Sequence, residues 1–318
     1  MKWKNKVFPA AFAASLAVLS TGIFPAGAAE CAPVAARPVW ELSPAGHVFY
    51  QHSGMRLFLP MEYDGLLLTE TPRKSGDGRL FTVSEKASIE AAEAMGTKWE
   101  GAGWLFDIAW VDEAGFQKML CEDMSGAEIF AKDNLGNRYV FRHPTDVRYI
   151  RKDNEAMKRD QAQWSRLCDW AWKSVRENFI LDNLDRGLTA ETYDNSEVAI
   201  YLARAAYRPG TAYTVSSTEH GPLSSPEVKA GPYVEQLIRN ASYSMTDRKE
   251  TPDGEYIVLD FPDENVRLDF FTMPGKENYV REVRRDGSEM LYKATFADGT
   301  TKAGAVMQRW YWVLSSYR

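Results

Sequence analysis

EYIVLDFPDENVRLDFFTMPGKENYVREVRRDGSEMLYKATF, residues 255–296, alternates short apolar runs with explicit turn signals, and that alternation decides the fold class. Strands are predicted at 255–261, 266–273, 279–285 and 290–296. Pro262 to Asn265, Pro274-Gly275 and Asp286-Gly287 separate them. Val266, Leu268 and Phe270 alternate with Arg267 and Asp269, as in a sheet with one wet face. A further strand is predicted upstream at 243–248, before the Asp253-Gly254 turn. A sixth is predicted at 305–317, after Asp298-Gly299. Residues 233–240 read as a short helix. A helix followed by an antiparallel β-meander makes a C-terminal α+β domain over 227–318, its five- or six-stranded sheet covered on one face by the helix.

Working outward, PGTAYTVSSTEHGPLSSP at 209–226 is rich in turn formers and reads as a linker. The N-terminal domain is then 46–208, a mixed α/β region with a long helix. Short strands are predicted at 55–59, 66–71 and 80–85, a helix at 87–95, a buried strand at 104–111 and a helix at 113–124. Residues 128–132 and 138–143 flank Asp133-Asn134-Leu135-Gly136-Asn137, which has hairpin-turn chemistry. The helical segment 153–207 holds the strongest helix, 153–182. Met157, Trp164, Leu167, Cys168, Ala171, Trp172, Val175 and Phe179 fall on one stripe of it at 100° per residue. Trp170 lies off that stripe, either as an exposed ring for ligand stacking or, the favoured reading, packed against a second neighbour. A second amphipathic helix spans 196–207, capped by Asn195 or Ser196.

Residues 1–29 read as a cleavable secretory signal. Lys2, Lys4 and Lys6 precede an apolar run at 7–19, and Ala26, Ala28 and Ala29 supply small side chains for the peptidase. The apolar run is too short for a membrane span, and no later segment is long and apolar enough to be one. Residues 30–45, with three prolines, are expected to be a linker. The signal carries three lysines and no acid, so its removal makes the net charge three units more negative than the −6 of the 318-residue chain. An acidic protein repels phosphate backbones and anionic lipid, which excludes nucleic acid as an expected partner. Of the three cysteines, Cys31, Cys121 and Cys168, the last two are expected as free thiols rather than a disulfide.

No catalytic motif is found. The four histidines, His47, His52, His143 and His220, show no metal-binding spacing, and no cofactor or metal is expected. Acidic neighbours of Cys121 and Cys168 oppose thiolate formation. Acids of the helix at 85–93 are expected on a solvated face. The most suggestive polar cluster is His143-Pro144-Thr145-Asp146-Val147-Arg148, where His143, Asp146 and Arg148 are binding candidates at a strand end, alongside Trp170.

The phrases LFLPMEYDGLLLTET (57–71), GRLFTVSEKAS (78–88), GAGWLFDIAWV (101–111), DNLGNRYVFRHPTDVRY (133–149) and QAQWSRLCDWAWKSV (161–175) occur in this order. Together they resemble an uncharacterised exported domain of Gram-positive bacteria. In that domain an LPxxY segment precedes a GxLFxV strand, and a PTDV strand leads into a long helix. The resemblance covers roughly 46–180 and implies a secreted or cell-envelope location, with no activity attached. The leading functional expectation is a non-catalytic extracytoplasmic module that binds a protein, a wall polymer or a small ligand. Its aromatic content supports this, since Trp and Tyr are enriched at interfaces. The alternatives are a secreted hydrolase with a site assembled from separate segments, and a signalling or inhibitory partner.

Overall fold

In the structure, a computed structural model, a strand–turn–strand at the start of the described chain sets the first sheet. β1 (Glu41–Ser43), β2 (His47–His52) and β3 (Met55–Pro60) pair antiparallel, β2 and β3 through a turn at Ser53-Gly54. The described residues are 41–43, 47–72, 78–96, 101–223, 232–247, 254–272 and 277–315. They fall in one contact unit, Arg37–Arg318. The leader and residues 30–40 lie outside them.

β4 (Leu67–Glu70), β5 (Arg79–Glu85), β6 (Trp104–Val111), β7 (Ala127–Lys132), β8 (Arg138–Arg142) and β9 (Thr189–Ala190) form a second antiparallel sheet, ordered β4-β5-β6-β8-β7-β9. α1 (Lys86–Ala94) follows β5 and α2 (Glu113–Leu120) follows β6. Between β7 and β8 lies the expected Asp133–Asn137 hairpin. Asp133 Oδ1 accepts the Leu135 and Asn137 N–H groups at 2.9 and 3.0 Å. α3 (Asn154–Asp182) begins where Asp153 accepts the Ala156 N–H at 2.8 Å, an N-cap that satisfies one orphan donor of the first turn.

Both faces of this sheet are covered. Tyr139 and Phe141 of β8 point to one side, where Leu167, Ala171, Val175 and Phe179 of α3 bury them. Val140 between them points to the other, into a core shared with Phe116 and Leu120 of α2. A bulge between Ile129 and Ala131 turns Phe130 and Ala131 together toward α3, breaking the two-residue alternation. Trp172, expected on the α3 stripe, is 46% exposed. Its position lies at the margin of the 100° arc, and the strand face is full before it is reached.

α4 (Glu197–Tyr207) is capped by Ser196, whose Oγ accepts the Ala199 N–H at 3.3 Å. β10 (Thr214–Ser217) and β11 (Gly221–Pro222) follow, then α5 (Pro232–Arg239), β12 (Ala241–Thr246), β13 (Ile257–Phe261), β14 (Val266–Thr272), β15 (Asn278–Arg284), β16 (Glu289–Phe296) and α6 (Ala303–Ser315). The third sheet is ordered β11-β10-β13-β14-β15-β16-β12 and is antiparallel throughout. The α+β class is thus as expected, with strands near their predicted bounds, but only β13 to β16 follow meander order: β12, expected beside β13, pairs with β16 at the far edge because β10 takes its place.

Four local expectations need correction. The stretch predicted as a strand at 305–317 is helical over its described part, Ala303–Ser315: Ala303, Val306, Met307, Trp310 and Tyr311 are buried at helical spacing. The aromatic run that suggested a strand is the half-buried surface of α6. The stretch 209–226 is no bare linker, because β10 pairs with β13 and places Tyr213 and Val215 in the core. That core takes in α2, α4, α5, α6 and the inner face of the third sheet, so it runs across the expected domain boundary. The expected linker at 30–45 gives up Glu41–Ser43 to β1. Glu85 is fully buried rather than solvated, since it ends β5 facing Arg151.

Glu113 of α2 joins the two regions. Its carboxylate binds Arg138 of β8 at 2.6 Å and Arg239 of α5 at 2.7 Å, and both guanidiniums lie over the Phe116 ring. Burial pushes the Glu113 carboxyl up. The hydrogen bonds from Arg239 and Gln117 and the charges of Arg239 and Arg138 outweigh it, so the net shift is below the ordinary 4.5. A depressed folded pKa contributes stability that is fully present above the unfolded value and lost as pH falls through the folded one. Glu113→Gln is therefore expected to lower the urea midpoint at pH 7 and to leave it nearer that of the parent at pH 3. Equal offsets at the two pH values would show the ion pairs to be without effect.

Candidate functional site

In an antiparallel meander, alternate turns emerge at the same end of the sheet. The β13–β14 turn and the β15–β16 turn therefore lie side by side, and Arg285 N–H donates to the Asn265 carbonyl at 3.1 Å across them. Asn265 adopts φ 56°, a left-handed conformation that asparagine tolerates in a turn. Asp286 accepts from the Ser288 N–H at 2.9 Å and from Ser288 Oγ at 2.6 Å, which hold its carboxyl below its usual range. Opposite these turns stands α4, with Glu197, Ile200, Tyr201 and Arg204 at i, i+3, i+4 and i+7 facing them. Between the helix and the two turns is a groove of about 660 Å³. A smaller hollow of about 330 Å³ adjoins it and shares Asn265, Val266, Arg284 and Arg285 with it.

The groove is charged with both signs: Asp123, Glu197, Glu264 and Asp286 against Arg204, Arg284 and Arg285. Arg204 pairs with Glu264, and its Nε donates to the Cys121 carbonyl at 3.1 Å. Arg284 pairs with Glu197 and, at 2.8 Å, with Glu282, which is fully buried beneath it. Glu282 also accepts from the Tyr292 hydroxyl at 3.2 Å. Hydrogen bonds to Glu282 and Glu197 raise the Arg284 pKa, so this guanidinium is a permanent, anchored cation. Tyr201 is pushed up by burial and then by the carboxylates of Glu197, Glu282 and Glu264, against the opposing charge of Arg204. Its hydroxyl stays protonated at neutral pH and can donate or accept a hydrogen bond.

The residues singled out from the sequence lie elsewhere. β8 ends at Arg142, and residues 143–150 carry no strand. The His143 ring stands edge-on to Trp172, centroids 4.0 Å apart, with Nδ1 at 3.1 Å from the Pro144 carbonyl. Asp146 is exposed and binds Arg148 Nε at 2.7 Å. The cluster thus divides, Asp146 with Arg148 and His143 with Trp172. Trp170 packs on Tyr63 and Phe106 at centroid distances of 5.1 and 5.9 Å, the packed arrangement rather than an open stacking platform. Trp110, Trp172 and Trp312, the half-exposed tryptophans among the described residues, belong to β6, α3 and α6. Cys121 and Cys168 are free thiols. Burial, aided by the charges of Glu85 and Asp169, pushes Cys168 up to about 11.

Fold and groove together define an α+β protein with a charged surface groove at the turn end of its C-terminal sheet. Comparison with models of protein families, with curated proteins and with solved structures gives no match. Among the described residues, no helix is long and apolar enough to cross a membrane.

Proposed function

We propose that the chain is an exported, non-catalytic module that binds a peptide-bearing fragment of wall polymer in the groove between α4 and the turns of the C-terminal sheet. The leader at 1–29 and the resemblance over 46–180 support the location. The observation that carries the binding role is that the groove's charged groups are held in place before a ligand arrives. Arg284 is fixed by Glu282 and Glu197, and Arg204 by Glu264 and the Cys121 carbonyl. Binding to anchored forks costs less ordering of side chains than binding to free ones. Mixed charge suits a ligand with carboxylate and amide groups, which the stem peptides of wall fragments offer.

The chemistry of the lining favours binding over hydrolysis. Among the described residues it contains no His, Cys, Ser or Lys to serve as nucleophile or base. Each of its carboxylates already accepts a hydrogen bond: Glu197 and Glu264 from guanidiniums, Asp123 from Ser125 N–H and Asp286 from Ser288. A general acid needs a carboxyl kept neutral, and a paired guanidinium opposes that.

Arg285 is the cleanest probe, being exposed at the rim, its side chain bonded among the described residues to the Asn265 amide oxygen alone, at 3.1 Å. Calorimetric titration with soluble muropeptides is expected to show micromolar binding that Arg285→Ala weakens about tenfold, in line with one lost charge-assisted hydrogen bond. Absence of binding to the parent chain, or indifference to Arg285→Ala, would overturn the assignment. Release of new amines or reducing ends on incubation would place the protein among hydrolases instead.

A further inference from the structure

The geometry points to a second site on this chain: a divalent transition-metal site, of the zinc class, made by Glu219, His220 and Glu255. One donor atom from each lies within 4.8 Å of the others. Glu219 and His220 occupy the tip of the β10–β11 hairpin, which closes at Ser217 and Gly221 around three residues. Gly221 takes φ 79°, the left-handed residue that such a tip requires. Ser217 Oγ accepts the N–H groups of Glu219 and His220, both at 3.2 Å, which fixes the tip. The tip is tied in turn to the strand that follows Glu255: Thr218 N–H donates to the Tyr256 carbonyl at 3.2 Å, and Tyr256 N–H to Thr218 Oγ1 at 3.1 Å. Segments some forty residues apart are thereby locked with His220 Nε2 at 3.9 Å from a Glu255 oxygen.

Two further observations separate this cluster from an ordinary group of surface acids. The first is the orientation of Glu255. Ser217 Oγ donates to one of its oxygens, and Gln308 Nε2 of α6 donates to the other at 2.6 Å. Outer partners of this kind orient a ligating carboxylate while leaving lone pairs for an ion. The second is charge. In the α4 groove the buried and half-buried carboxylates are neutralised by arginines. Here, among the described residues, neither Glu219 nor Glu255 is ion-paired with a Lys or Arg. Two carboxylates and an imidazole converge with no Lys or Arg of the described residues between them, and negative charges that close favour a cation. An imidazole in the set selects transition ions over calcium or magnesium, which take oxygen ligands. Three protein donors leave a coordination position for water or for a ligand. Exposed Glu219 and His220 supply the freedom to close on the ion. Trp312, edge-on to His220 at 4.8 Å between centroids, sits beside it as a reporter.

The test is titration of Zn²⁺ into tag-free, chelator-stripped protein, followed by calorimetry and by competition with a chromophoric chelator. One ion per chain is expected, with binding weakened at least tenfold by His220→Ala and by Glu255→Gln, and with no comparable binding of Ca²⁺ or Mg²⁺. Co²⁺ is expected to quench tryptophan emission in the parent chain and to quench it less in Trp312→Phe. His220 is exposed, so His220→Ala should unfold at the parent's temperature in the absence of metal, which separates loss of the site from loss of the fold. Zinc binding that survives both His220→Ala and Glu255→Gln, or no stoichiometric binding to the parent, overturns the proposal.

Discussion

Glu85→Ala is expected to destabilise the protein by about 3–5 kcal/mol, the loss that follows removal of one partner from a buried ion pair. Glu85 is fully buried, and its two oxygens accept from Arg151 Nη2 and Nη1 at 2.7 and 2.9 Å. Ser88 Oγ donates to the same carboxylate while accepting from the Ile150 N–H at 3.1 Å and from Arg151 Nη1 at 3.0 Å. Arg151 Nε reaches Asp160 of α3 at 2.9 Å, and its guanidinium lies over the Tyr149 ring. One carboxylate thus ties β5, the 149–151 segment and α3 together. Backbone packing admits no slack there: a Cβ on Gly103 would come within 2.5 Å of the Glu85 carbonyl oxygen. Without Glu85 the Arg151 cation remains inside with only part of its partners. The cost arises from that stranded charge, not from the net worth of the pair. The double variant Glu85→Leu, Arg151→Met should accordingly lose less than the two single variants summed. Urea unfolding of the parent, the two single variants Glu85→Leu and Arg151→Met and the double variant measures this, with Glu85→Ala as a fifth chain. A loss under about 1 kcal/mol for Glu85→Ala would show that water reaches the pair. A second readout is Cys168, whose thiol is raised by burial first and by Glu85 next. Its alkylation should begin at lower pH once Glu85 is gone.

Phe179→Ala is expected to cost about 3–5 kcal/mol, the range for emptying an aromatic site in a close-packed core. Phe179 is fully buried on α3, and its ring meets Phe81 at 6.2 Å and Phe130 and Tyr139 each at 6.0 Å. These belong to β5, β7 and β8, so one side chain holds the helix against three strands. Phe179→Leu should recover most of the loss, because it refills volume without restoring the ring contacts. Trp172→Ala on the same helix should cost under about 1 kcal/mol, since the Trp172 side chain is half in water. A Trp172→Ala loss matching that of Phe179→Ala would mean that the face assigned to α3 is wrong.

Much of this was legible in the residues themselves. Asp133 in its hairpin, Asp153 and Ser196 at their helix starts and the turns of 255–296 act on backbone groups a few positions away, and so their effect is written locally. The failures share a cause. Residues 305–317 offered aromatic content that suits a half-buried strand as well as a half-buried helix, and only the neighbouring sheet selected the helical period. Tyr213 and Val215 looked like linker residues because the strand that receives them, β13, lies more than forty residues on.

By itself the sequence determined the α+β class, the extent of α3, the succession of β13 to β16 and the absence of any recognisable catalytic motif, but not the place of β12, which lies at the far edge beside β16. Tertiary structure alone decided which charges are inside and which side chains meet. Glu85 finds Arg151 across 66 positions and Arg284 finds Glu197 across 87. The groove between α4 and two turns, and the convergence of His220 with Glu255, are likewise products of strand pairing. Periodicity and turn chemistry report the geometry of one short segment. A site is a property of the distances between segments, which folding sets by burying their apolar faces together.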